Sequence, residues 1–532
     1  MRGTLPSEEF SSFSNILSYR AQVMPDAQAF VFYNEEGDGK EVAVSYADLY
    51  MRVALIANRL SKNMNPGERC LLLYKPGIEY IAAFFACLYA RVIAVPVFLS
   101  NKERQIEKLE QIIINCSAKA VLSMSHYGEL LEYLISNTNL DLVCLYSDTF
   151  GMHQEECFQN IDSPLMDLND IAFLQYSSGS TGNPKGVQIT HKNLFINTEA
   201  IFKNFGFDKD SRGVIWLPPY HDMGLIGGVL ASIYGGIELV LTPPSTFVRN
   251  PLNWLNLIST QKGTISGGPN FAYDLCIKQM QRRPNKNLDL SSWKVAFCGA
   301  EPIFPDTIHR FIETFSPYGF DKNAFFPCYG LAEATLMVSC RQKHNSVTKH
   351  FSREKWLSGI IEQLNNESED TIEVVNCGEV ISGHRVCIVD PKTRNLKSDE
   401  IGEIWIHGPS VSKGYWENNE ENLNLFSSIS DDETKDNSWL RTGDLGFLSG
   451  NELFISGRIK DLLIVNGLNY YPQDIEKEVE DSHPAVITSV AFSSIEDGSE
   501  KLIIVIEIKE RDLIKNVDLI ELLYTPNNPT YF

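Results

Sequence analysis

A twelve-residue polar segment, YSSGSTGNPKGV (Tyr176–Val187), combines small hydroxyl side chains, three glycines and one lysine. The glycines permit positive φ angles and close backbone approach, so successive N–H groups can converge on phosphate oxygens while the hydroxyls add donors. The segment is not a Walker P-loop, because Pro184 precedes the lysine and Gly186 follows it. A surface turn of the same composition is the alternative. The residues expected to contact an anion are Ser177, Ser178, Gly179, Ser180, Thr181, Gly182 and Lys185.

The length and charge of the chain limit the functions that it can have. It has 532 residues, enough for a large enzyme with several parts. Its 46 basic and 68 acidic residues give a formal net charge of −22, so nucleic acids and anionic membranes are not expected as main partners. The 11 cysteines are scattered without a CxxC pair, which indicates neither a disulfide scaffold nor a zinc site and fits a reducing cytoplasm.

No integral membrane segment is predicted. The N-terminal residues lack the apolar core of a signal peptide. The most apolar stretch, Tyr80–Leu99, is interrupted by Arg91 and Pro96, and its apolar length is marginal for a bilayer. We interpret it as a buried helix followed by a buried strand and expect a cytoplasmic protein.

The spacing of apolar residues predicts an α/β fold. Ser45 is a candidate N-cap for one helix, the strand-like RCLLLYK follows, and Ile78–Ala90 has helical spacing again. This βαβ pattern and four later apolar runs closed by Gly or Pro predict parallel sheets with ligand sites at their carboxyl edges. Short strands dominate from about Val374. A small α+β unit, with a helix opening at Pro472, is expected from about Asp461.

Five motifs in one order show a resemblance to a known superfamily. The segment YSSGSTGNPKGV is followed by LPPYHDMGL, YGLAEAT, RTGDLG and GRIKDLLIVNG. In this order and spacing they resemble the acyl-adenylate-forming superfamily, and YHDMGLIGG, GGPNFAYDL, YGLAEATLMVS and NCGEVISG are most similar to the fatty acyl-AMP ligases. The expected fold is therefore a large N-terminal part of two doubly wound α/β subdomains plus a β-rich, distorted-barrel subdomain, with a small and incomplete α+β C-terminal domain.

The resemblance implies a reaction that uses ATP and Mg²⁺. A fatty carboxylate attacks the α-phosphate of ATP, pyrophosphate leaves, and an acyl-adenylate remains; such chemistry depends on positioning and on neutralising phosphate charge. In the family pattern Thr181 and Lys185 contact the departing phosphates, Glu333 binds Mg²⁺, and His221 orients the substrate. These four residues are the expected catalytic group.

The resemblance also assigns residues to the nucleoside. Asp444 would accept hydrogen bonds from the ribose hydroxyls, and Arg458 would make a second ribose or phosphate contact. The residues expected to lie against the adenine are Gly299, Ala300, Glu301, Tyr329 and Gly330.

Taken one at a time, several of these residues have structural explanations. Glu333 could be a helix-start residue, Asp444 a turn residue, Arg458 a surface arginine and His221 a structural histidine. The glycine-rich apolar segment Met223–Gly236 fits the wall of an alkyl tunnel and fits ordinary helix packing equally well. The residue types alone leave these alternatives open.

The family pattern divides the chain into an AMP-binding part, residues 1–459, and a C-terminal part, residues 460–532, with a hinge near Lys460. Arg341–Asp370 stands where fatty acyl-AMP ligases carry an insertion that restrains the C-terminal domain and excludes coenzyme A; a variable surface loop is the alternative. This segment includes REKWLSGIIEQL, a possible helix.

The family's lysine-bearing PxTxSGKxxR-like element is missing, because Lys501, Lys509 and Lys515 do not match its context. The C-terminal part is therefore expected to be partial, or adenylation to be impaired. The leading hypothesis is a fatty acyl-AMP ligase that passes its acyl group to the phosphopantetheine thiol of an acyl carrier protein or of a polyketide or peptide synthase carrier domain. A fatty acyl-CoA synthetase and a non-catalytic binder of nucleotide or acyl-adenylate are the alternatives.

Overall fold

The computed structural model describes residues 10–33, 41–98, 103–138, 142–150, 166–177, 184–342, 345–365, 367–368, 370–428, 439–465, 468–482, 486–496 and 499–508. Within these ranges no helix has the length and apolar character needed to span a bilayer.

The helices of the described residues are mostly short and alternate with strands. Single 3₁₀ turns lie at Ser125–Tyr127, Ser147–Thr149, Ser316–Tyr318, Lys322–Ala324 and Ala332–Ala334, and a π-helical stretch at Leu225–Leu230. The α-helices are α1 (Phe13–Val23), α2 (Tyr46–Asn63), α3 (Ile78–Tyr89), α4 (Glu103–Cys116), α5 (Gly128–Thr138), α6 (His191–Asn204), α7 (Asp222–Gly224), α8 (Ala231–Gly235), α9 (Pro244–Arg249), α10 (Leu252–Gln261), α11 (Asn270–Arg282), α12 (Pro305–Phe315), α13 (Arg353–Leu357), α14 (Asn419–Leu425) and α15 (Pro472–Ser482).

The strands change character along the chain, from short parallel strands to longer antiparallel ones. In the first half they are β1 (Gln28–Tyr33), β2 (Glu41–Ser45), β3 (Arg69–Tyr74), β4 (Ile93–Phe98), β5 (Ala120–Ser123), β6 (Val143–Tyr146), β7 (Ile171–Ser177), β8 (Lys185–Thr190), β9 (Arg212–Ile215), β10 (Glu238–Leu241), β11 (Ile265–Gly268), β12 (Val295–Cys298) and β13 (Phe325–Gly330). The later strands are β14 (Met337–Cys340), β15 (Thr348–Ser352), β16 (Gln363–Leu364), β17 (Thr371–Val380), β18 (Arg385–Val389), β19 (Gly402–His407), β20 (Phe426–Ser427), β21 (Trp439–Ser449), β22 (Glu452–Arg458), β23 (Leu463–Val465), β24 (Leu468–Tyr470), β25 (Val486–Glu496) and β26 (Ser499–Ile508).

Two sheets carry the parallel strands. The smaller has the order β6-β5-β3-β4-β7-β8, parallel except for β8, which pairs antiparallel with β7. The larger includes the parallel run β13-β12-β11-β9-β10-β1 with the antiparallel edge strand β2. These are the two predicted α/β subdomains.

The larger sheet continues as an antiparallel region beyond β13. Its strands follow in the order β14-β17-β22-β21-β19-β18, and β15, β16 and β20 pair at its sides. This region is the predicted β-rich subdomain, and the α/β fold class is confirmed. Because β14 of this antiparallel region pairs directly with β13, residues from distant parts of the chain lie close together in the larger sheet.

Residues 80–98 of the apolar stretch Tyr80–Leu99 form a helix and a strand, as predicted, and Leu99 lies outside the described residues. Helix α3 is buried along almost its whole length and packs on α1, α2, β3 and β4. The predicted N-cap is also confirmed, since Ser45 Oγ accepts a hydrogen bond of 3.1 Å from the Asp48 N–H at the start of α2.

The predicted helix REKWLSGIIEQL is wrong beyond its first turn. Helix α13 ends at Leu357, and Gly359 takes a φ of 75°, which turns the chain out of the helix. Ile360 then pairs with Glu400, and the Ile401 N–H donates to the Gly359 carbonyl at 2.8 Å. Strand pairing with a distant segment therefore outweighs local helix propensity.

The small α+β unit expected from about Asp461 contains β23, β24, α15, β25 and β26. Pro472 opens α15 as predicted, and Ile475 and Val479 are buried against the strands. Lys477 Nζ lies 3.0 Å from Asp306 Oδ2 and so ties α15 to α12. Lys509 and Lys515 lie outside the described residues, as does the side chain of Lys501.

Candidate active site

A cavity of about 530 Å³ is lined by residues from both sheets. Lys185 is the first residue of β8, Tyr329 and Gly330 end β13, Asp444 lies on β21, and Arg458 ends β22. Of the strands that reach this cavity, β12 and β13 are parallel neighbours and present their carboxyl ends to it, as expected for an α/β ligand site, whereas β8, β21 and β22 belong to antiparallel pairs.

The phosphate-loop candidate lies in the β7–β8 hairpin. Ser177 ends β7 and pairs with Lys185 across the hairpin. Lys185 Nζ is 2.9 Å from Glu421 Oε2 and 5.2 Å from the centre of the Tyr415 ring, and its side chain is only 13% exposed. The structure thus holds this ammonium group at the cavity between an acidic and an aromatic side chain. The other predicted loop residues, Ser178, Gly179, Ser180, Thr181 and Gly182, lie outside the described residues, as does the side chain of Ser177.

Glu333 lies in the 3₁₀ turn that follows β13 and lines the cavity. Its Oε1 accepts a 2.6 Å hydrogen bond from the Tyr415 hydroxyl, and its carbonyl accepts one of 2.8 Å from the Ser412 N–H. Two residues later, Thr335 has a φ of 74°, and its Oγ1 donates to the Ser410 carbonyl at 2.6 Å. A β-branched residue with positive φ is strained, so surrounding contacts must fix this turn.

The donor set suits Mg²⁺ if the ion brings phosphate and water ligands with it. No group of three His, Cys, Asp or Glu side chains that could hold a metal occurs among the described residues. Mg²⁺ at nucleotide sites commonly uses one or two carboxylates, with phosphates and waters completing the octahedron. Glu333 alone therefore fits such an ion, whereas a metal held only by protein side chains would not fit here.

The wall expected to face the adenine is formed where β12 and β13 end side by side. Gly299 and Ala300 follow β12, and Tyr329 and Gly330 end β13. A Cβ at Gly330 would overlap the carbonyl oxygen of Leu336, so glycine is required for this close approach.

Glu301 does not join the residues around the main cavity. Its carboxylate accepts a 2.6 Å hydrogen bond from the Phe271 N–H, and it lines a neighbouring cavity of about 330 Å³. Burial raises the pKa of the Glu301 carboxyl, although the hydrogen bond from Phe271 opposes the shift. In the structure its bonding partner is the start of α11.

Asp444 is held by two donors from different strands. Its Oδ2 accepts a 2.7 Å hydrogen bond from the Tyr329 hydroxyl, and its Oδ1 lies 3.0 Å from Arg458 Nε. Burial raises the pKa of the Asp444 carboxyl above its ordinary value, although the hydrogen bond from Tyr329 and the charge of Arg458 oppose the shift. The Arg458 side chain is 69% exposed. This exposure fits a surface arginine that faces solvent as well as an arginine that contacts a ligand.

His221 and Asp222 both line the cavity and bond to each other. His221 Nδ1 lies 2.7 Å from Asp222 Oδ1, close enough for an Nδ1–H donor, which leaves Nε2 for another partner. Burial disfavours the charged ring, but the hydrogen bond and charge of Asp222 outweigh it, so the pKa of His221 is raised. His221 and Asp222 lie at the start of one continuous helical segment, which consists of α7, the π-helical stretch Leu225–Leu230 and α8.

Two residues at the site were not predicted, Tyr415 and Glu421. Both contact Lys185, and Tyr415 also bonds Glu333. They belong to SKGYWENNEEN, in which a buried aromatic residue stands among polar ones. This contrast between a buried aromatic residue and its polar neighbours is the one local signal in the sequence. It does not indicate which residues Tyr415 and Glu421 contact.

Comparison with known proteins gives the family. Residues 17–416, well over half of the chain, match the family described as AMP-binding enzyme. The chain belongs to the AMP-binding enzyme family. Residues 460–524 match a second description, Disco-interacting protein 2-like, AMP domain.

Relatives of this AMP-binding enzyme are named ligases, and it is a ligase. It is 39% identical to the medium-chain-fatty-acid–[acyl-carrier-protein] ligase JamA of Moorena producens (strain JHB), with 97% of this chain and 88% of the relative covered. It is 34% identical to the putative fatty-acid–CoA ligase FadD21 of Mycobacterium tuberculosis (strain ATCC 25618 / H37Rv), with 95% and 90% covered.

A solved fatty acyl-adenylate ligase from L. pneumophila, in complex with acyl adenylate and pyrophosphate, is similar in structure to this AMP-binding enzyme. The two share 37% identity and a TM-score of 0.80, and 98% of this chain and 90% of that chain are covered. The resemblance to fatty acyl-AMP ligases is thereby confirmed.

Part of the lining of the cavity in this AMP-binding enzyme is apolar. Phe205, which follows α6, Phe297 of β12 and Met337 of β14 line it, and Met223 and Gly227 border it from the segment Asp222–Gly235. That segment includes π turns, which widen the helix, and its other apolar residues are buried in the core. The segment therefore takes part in helix packing and also contributes two residues to the cavity wall; its role as an alkyl tunnel stays a prediction.

Proposed function

We propose that this enzyme is a fatty acyl-AMP ligase that converts a fatty acid and ATP into an acyl-adenylate and pyrophosphate. One observation carries the proposal: a single cavity is lined both by a set of apolar side chains and by a set of polar and charged ones that includes Lys185, His221, Glu333 and Asp444. An alkyl chain fits the first and a nucleotide the second. The relatives named as fatty-acid ligases support the same substrate class.

In the proposed reaction a carboxylate oxygen of the fatty acid forms a bond to the α-phosphorus while the bond to the β-phosphate oxygen breaks. Lys185, held at the cavity by Tyr415 and Glu421, neutralises charge on the departing phosphates. Asp444 retains acceptor positions for the ribose hydroxyls, and His221, when its ring is protonated on both nitrogens, offers Nε2–H as a donor that orients the reacting carboxylate. When bound at Glu333, Mg²⁺ would supply Lewis-acid neutralisation of phosphate charge.

We propose an acyl carrier protein, or a carrier domain of a polyketide or peptide synthase, as the acceptor of the acyl group. The carrier's phosphopantetheine thiol forms the thioester as AMP leaves. Support comes from JamA, whose name specifies an acyl carrier protein. The second candidate acceptor is coenzyme A, which the name of FadD21 specifies.

We propose the same domain division as the sequence suggested, residues 1–459 and 460–532. The chain between them is anchored on both sides of the hinge candidate, because the Ile459 N–H donates to the Gly443 carbonyl at 2.9 Å and the Asp461 N–H to the Arg458 carbonyl at 3.2 Å. Lys460 lines the cavity, so a rotation there would change its charged lining. Arg341–Asp370 remains the proposed insertion.

The test supplies the full chain with Mg²⁺, ATP and fatty acids of increasing length and measures pyrophosphate exchange and acyl-adenylate. Lys185→Ala serves as the site-directed variant. We expect exchange that depends on the fatty acid and is lost in the variant. Absence of exchange with every fatty acid, together with retained ATP binding, would instead favour the non-catalytic nucleotide binder.

A second assay separates the acceptors. The acyl-adenylate reaction is mixed with coenzyme A, with a phosphopantetheine-bearing carrier protein, or with the same carrier lacking phosphopantetheine as the matched control. We expect thioester only on the modified carrier. Rapid acyl-CoA formation would overturn the carrier assignment while leaving the adenylation step intact.

A further inference from the structure

A short segment, residues 412–416, connects the lysine strand to the Glu333 turn; we term it the bridging segment. On one side the Trp416 N–H donates to the Gly186 carbonyl at 2.8 Å, and the Gln188 N–H donates to the Gly414 carbonyl at 2.9 Å. On the other side, the Ser412 N–H donates to the Glu333 carbonyl at 2.8 Å. The segment therefore behaves as an extra strand on β8, and Ser412 at its other end fixes the backbone of Glu333.

Tyr415 is the residue of the bridging segment whose side chain enters the cavity. It is 8% exposed, and its hydroxyl donates to Glu333 Oε1 at 2.6 Å. The ammonium of Lys185 lies 5.2 Å from its ring centre, within the range of a cation–π contact. One side chain thus contacts both the proposed metal ligand and the proposed phosphate cation.

The backbone of Tyr415 is fixed from two directions. Its N–H donates to Asn422 Oδ1 at 2.7 Å, and its carbonyl accepts from Asn422 Nδ2 at 2.9 Å and from Gln188 Nε2 at 3.1 Å. These bonds tie it to α14 and β8. A side chain on so constrained a backbone has little freedom, so it can set the positions of the groups that it touches.

We propose that Tyr415 is a positioning residue of the phosphate site, orienting Glu333 through its hydroxyl and Lys185 through its ring. The inference rests on the proposed function, because it assigns Glu333 and Lys185 to Mg²⁺ and phosphate. It adds a residue that the motifs do not assign. It also predicts that the hydroxyl and the aromatic ring of Tyr415 have separable effects.

The charges around Tyr415 are consistent with a donor role. Burial raises the pKa of its hydroxyl, and the carboxylates of Glu333 and Glu421 raise it further. The hydroxyl is the donor in its contact with Glu333 Oε1 at 2.6 Å, because an ionised carboxylate oxygen can only accept. Lys185 is the cation that faces the ring and balances these two carboxylates.

The test compares Tyr415→Phe, which removes only the hydroxyl, with Tyr415→Leu, which removes the aromatic face as well. Binding of a non-hydrolysable ATP analogue is measured with and without Mg²⁺, alongside the Mg²⁺ dependence of pyrophosphate exchange. For Tyr415→Phe we expect the half-saturating Mg²⁺ concentration to rise roughly tenfold, because a hydrogen bond to a charged group is lost. Analogue binding without Mg²⁺ should stay unchanged. Tyr415→Leu should in addition weaken that metal-independent binding by roughly two- to fivefold.

Tyr33→Phe is the matched control. The Tyr33 hydroxyl also donates to a glutamate, Glu41 Oε2 at 2.8 Å. Tyr33 lies on β1, beside the edge strand β2, and does not line the cavity. This control should leave both measurements at wild-type values. A Glu333→Gln background provides the coupling test: if the hydroxyl acts through Glu333, adding Tyr415→Phe should change the Mg²⁺ requirement no further.

The inference is overturned if Tyr415→Phe shows the wild-type Mg²⁺ dependence in both assays, or if its effect is the same size with and without Mg²⁺. It is also overturned if the effects of Tyr415→Phe and Glu333→Gln add fully. Failure of the proposed function would look different, because the wild-type protein would then show no fatty-acid-dependent exchange while the binding assay still reported on Tyr415.

Discussion

Replacing Asp444 with asparagine should weaken the recognition of ribose without weakening the fold. An ionised carboxylate has about four acceptor positions. The Tyr329 hydroxyl and Arg458 Nε occupy two of them in this structure, which leaves two for the 2′ and 3′ hydroxyls of a ribose. Asparagine has one acceptor oxygen, so after bonding Arg458 it can accept from only one hydroxyl.

The expected loss is one hydrogen bond to a charged acceptor, about 1.5–3 kcal/mol, or roughly a 10- to 100-fold rise in the Kd for ATP. Calorimetric titration with ATP and with 2′,3′-dideoxy-ATP measures it. The wild-type protein should strongly prefer ATP, and Asp444→Asn should lose most of that preference. Asp306→Asn is a suitable control, because Asp306 also accepts hydrogen bonds from two side chains, Arg310 and Lys477, but does not line the cavity.

The stability of the Asp444→Asn variant should be equal to or higher than that of the wild-type protein, although its affinity for ATP falls. Because the pKa of Asp444 is raised in the folded protein, the stability linked to it is present below the unfolded pKa and is lost as pH rises through the folded value. At neutral pH the ionised Asp444 therefore contributes no net stability, and Asp444→Asn should unfold at the same or a higher Tm. An unchanged ATP to dideoxy-ATP ratio in the variant would refute the assignment, and a large drop in Tm would refute the electrostatic reasoning.

Three further predictions follow from the site. Glu421→Gln removes the counter-charge of Lys185 and should tighten ATP binding by roughly two- to fivefold at low salt, with the gain lost at high salt; equal affinities at low salt would contradict this. The raised pKa of His221 gives stability that is present below its unfolded pKa and lost as pH rises through the folded value, so Asp222→Asn should flatten the change in unfolding free energy between about pH 5.5 and about pH 8.5, as measured with urea. Gly330→Ala should lower stability by about 1–3 kcal/mol and disturb ATP binding, because its Cβ would overlap a neighbouring carbonyl oxygen; a wild-type Tm with normal binding would contradict it.

Elements with strong local signals were predicted correctly from the sequence. Ser45 caps α2, Pro472 opens α15, and residues 80–98 are a buried helix followed by a strand. In each case residues within one or two turns supply the stabilising contact. The helix over REKWLSGIIEQL failed for the opposite reason, since Ile360 pairs with Glu400, forty positions away.

The sequence by itself determined the fold class, the family resemblance and the position of the phosphate segment, because these depend on apolar periodicity and on motif order along the chain. The tertiary structure decided which predicted residues meet. It placed Lys185, His221, Glu333 and Asp444 around one cavity and directed Glu301 to Phe271 instead.

The tertiary structure also introduced two residues that no motif indicated: Tyr415, which contacts Lys185 and Glu333, and Glu421, which contacts Lys185. These residues are more than 200 positions from the lysine along the chain. Their partners are chosen by the pairing of the bridging segment with β8 and by its bond to the turn after β13. Such long-range pairing has no local periodicity to reveal it, which is why only the folded chain shows how the side chains of the proposed phosphate site are held.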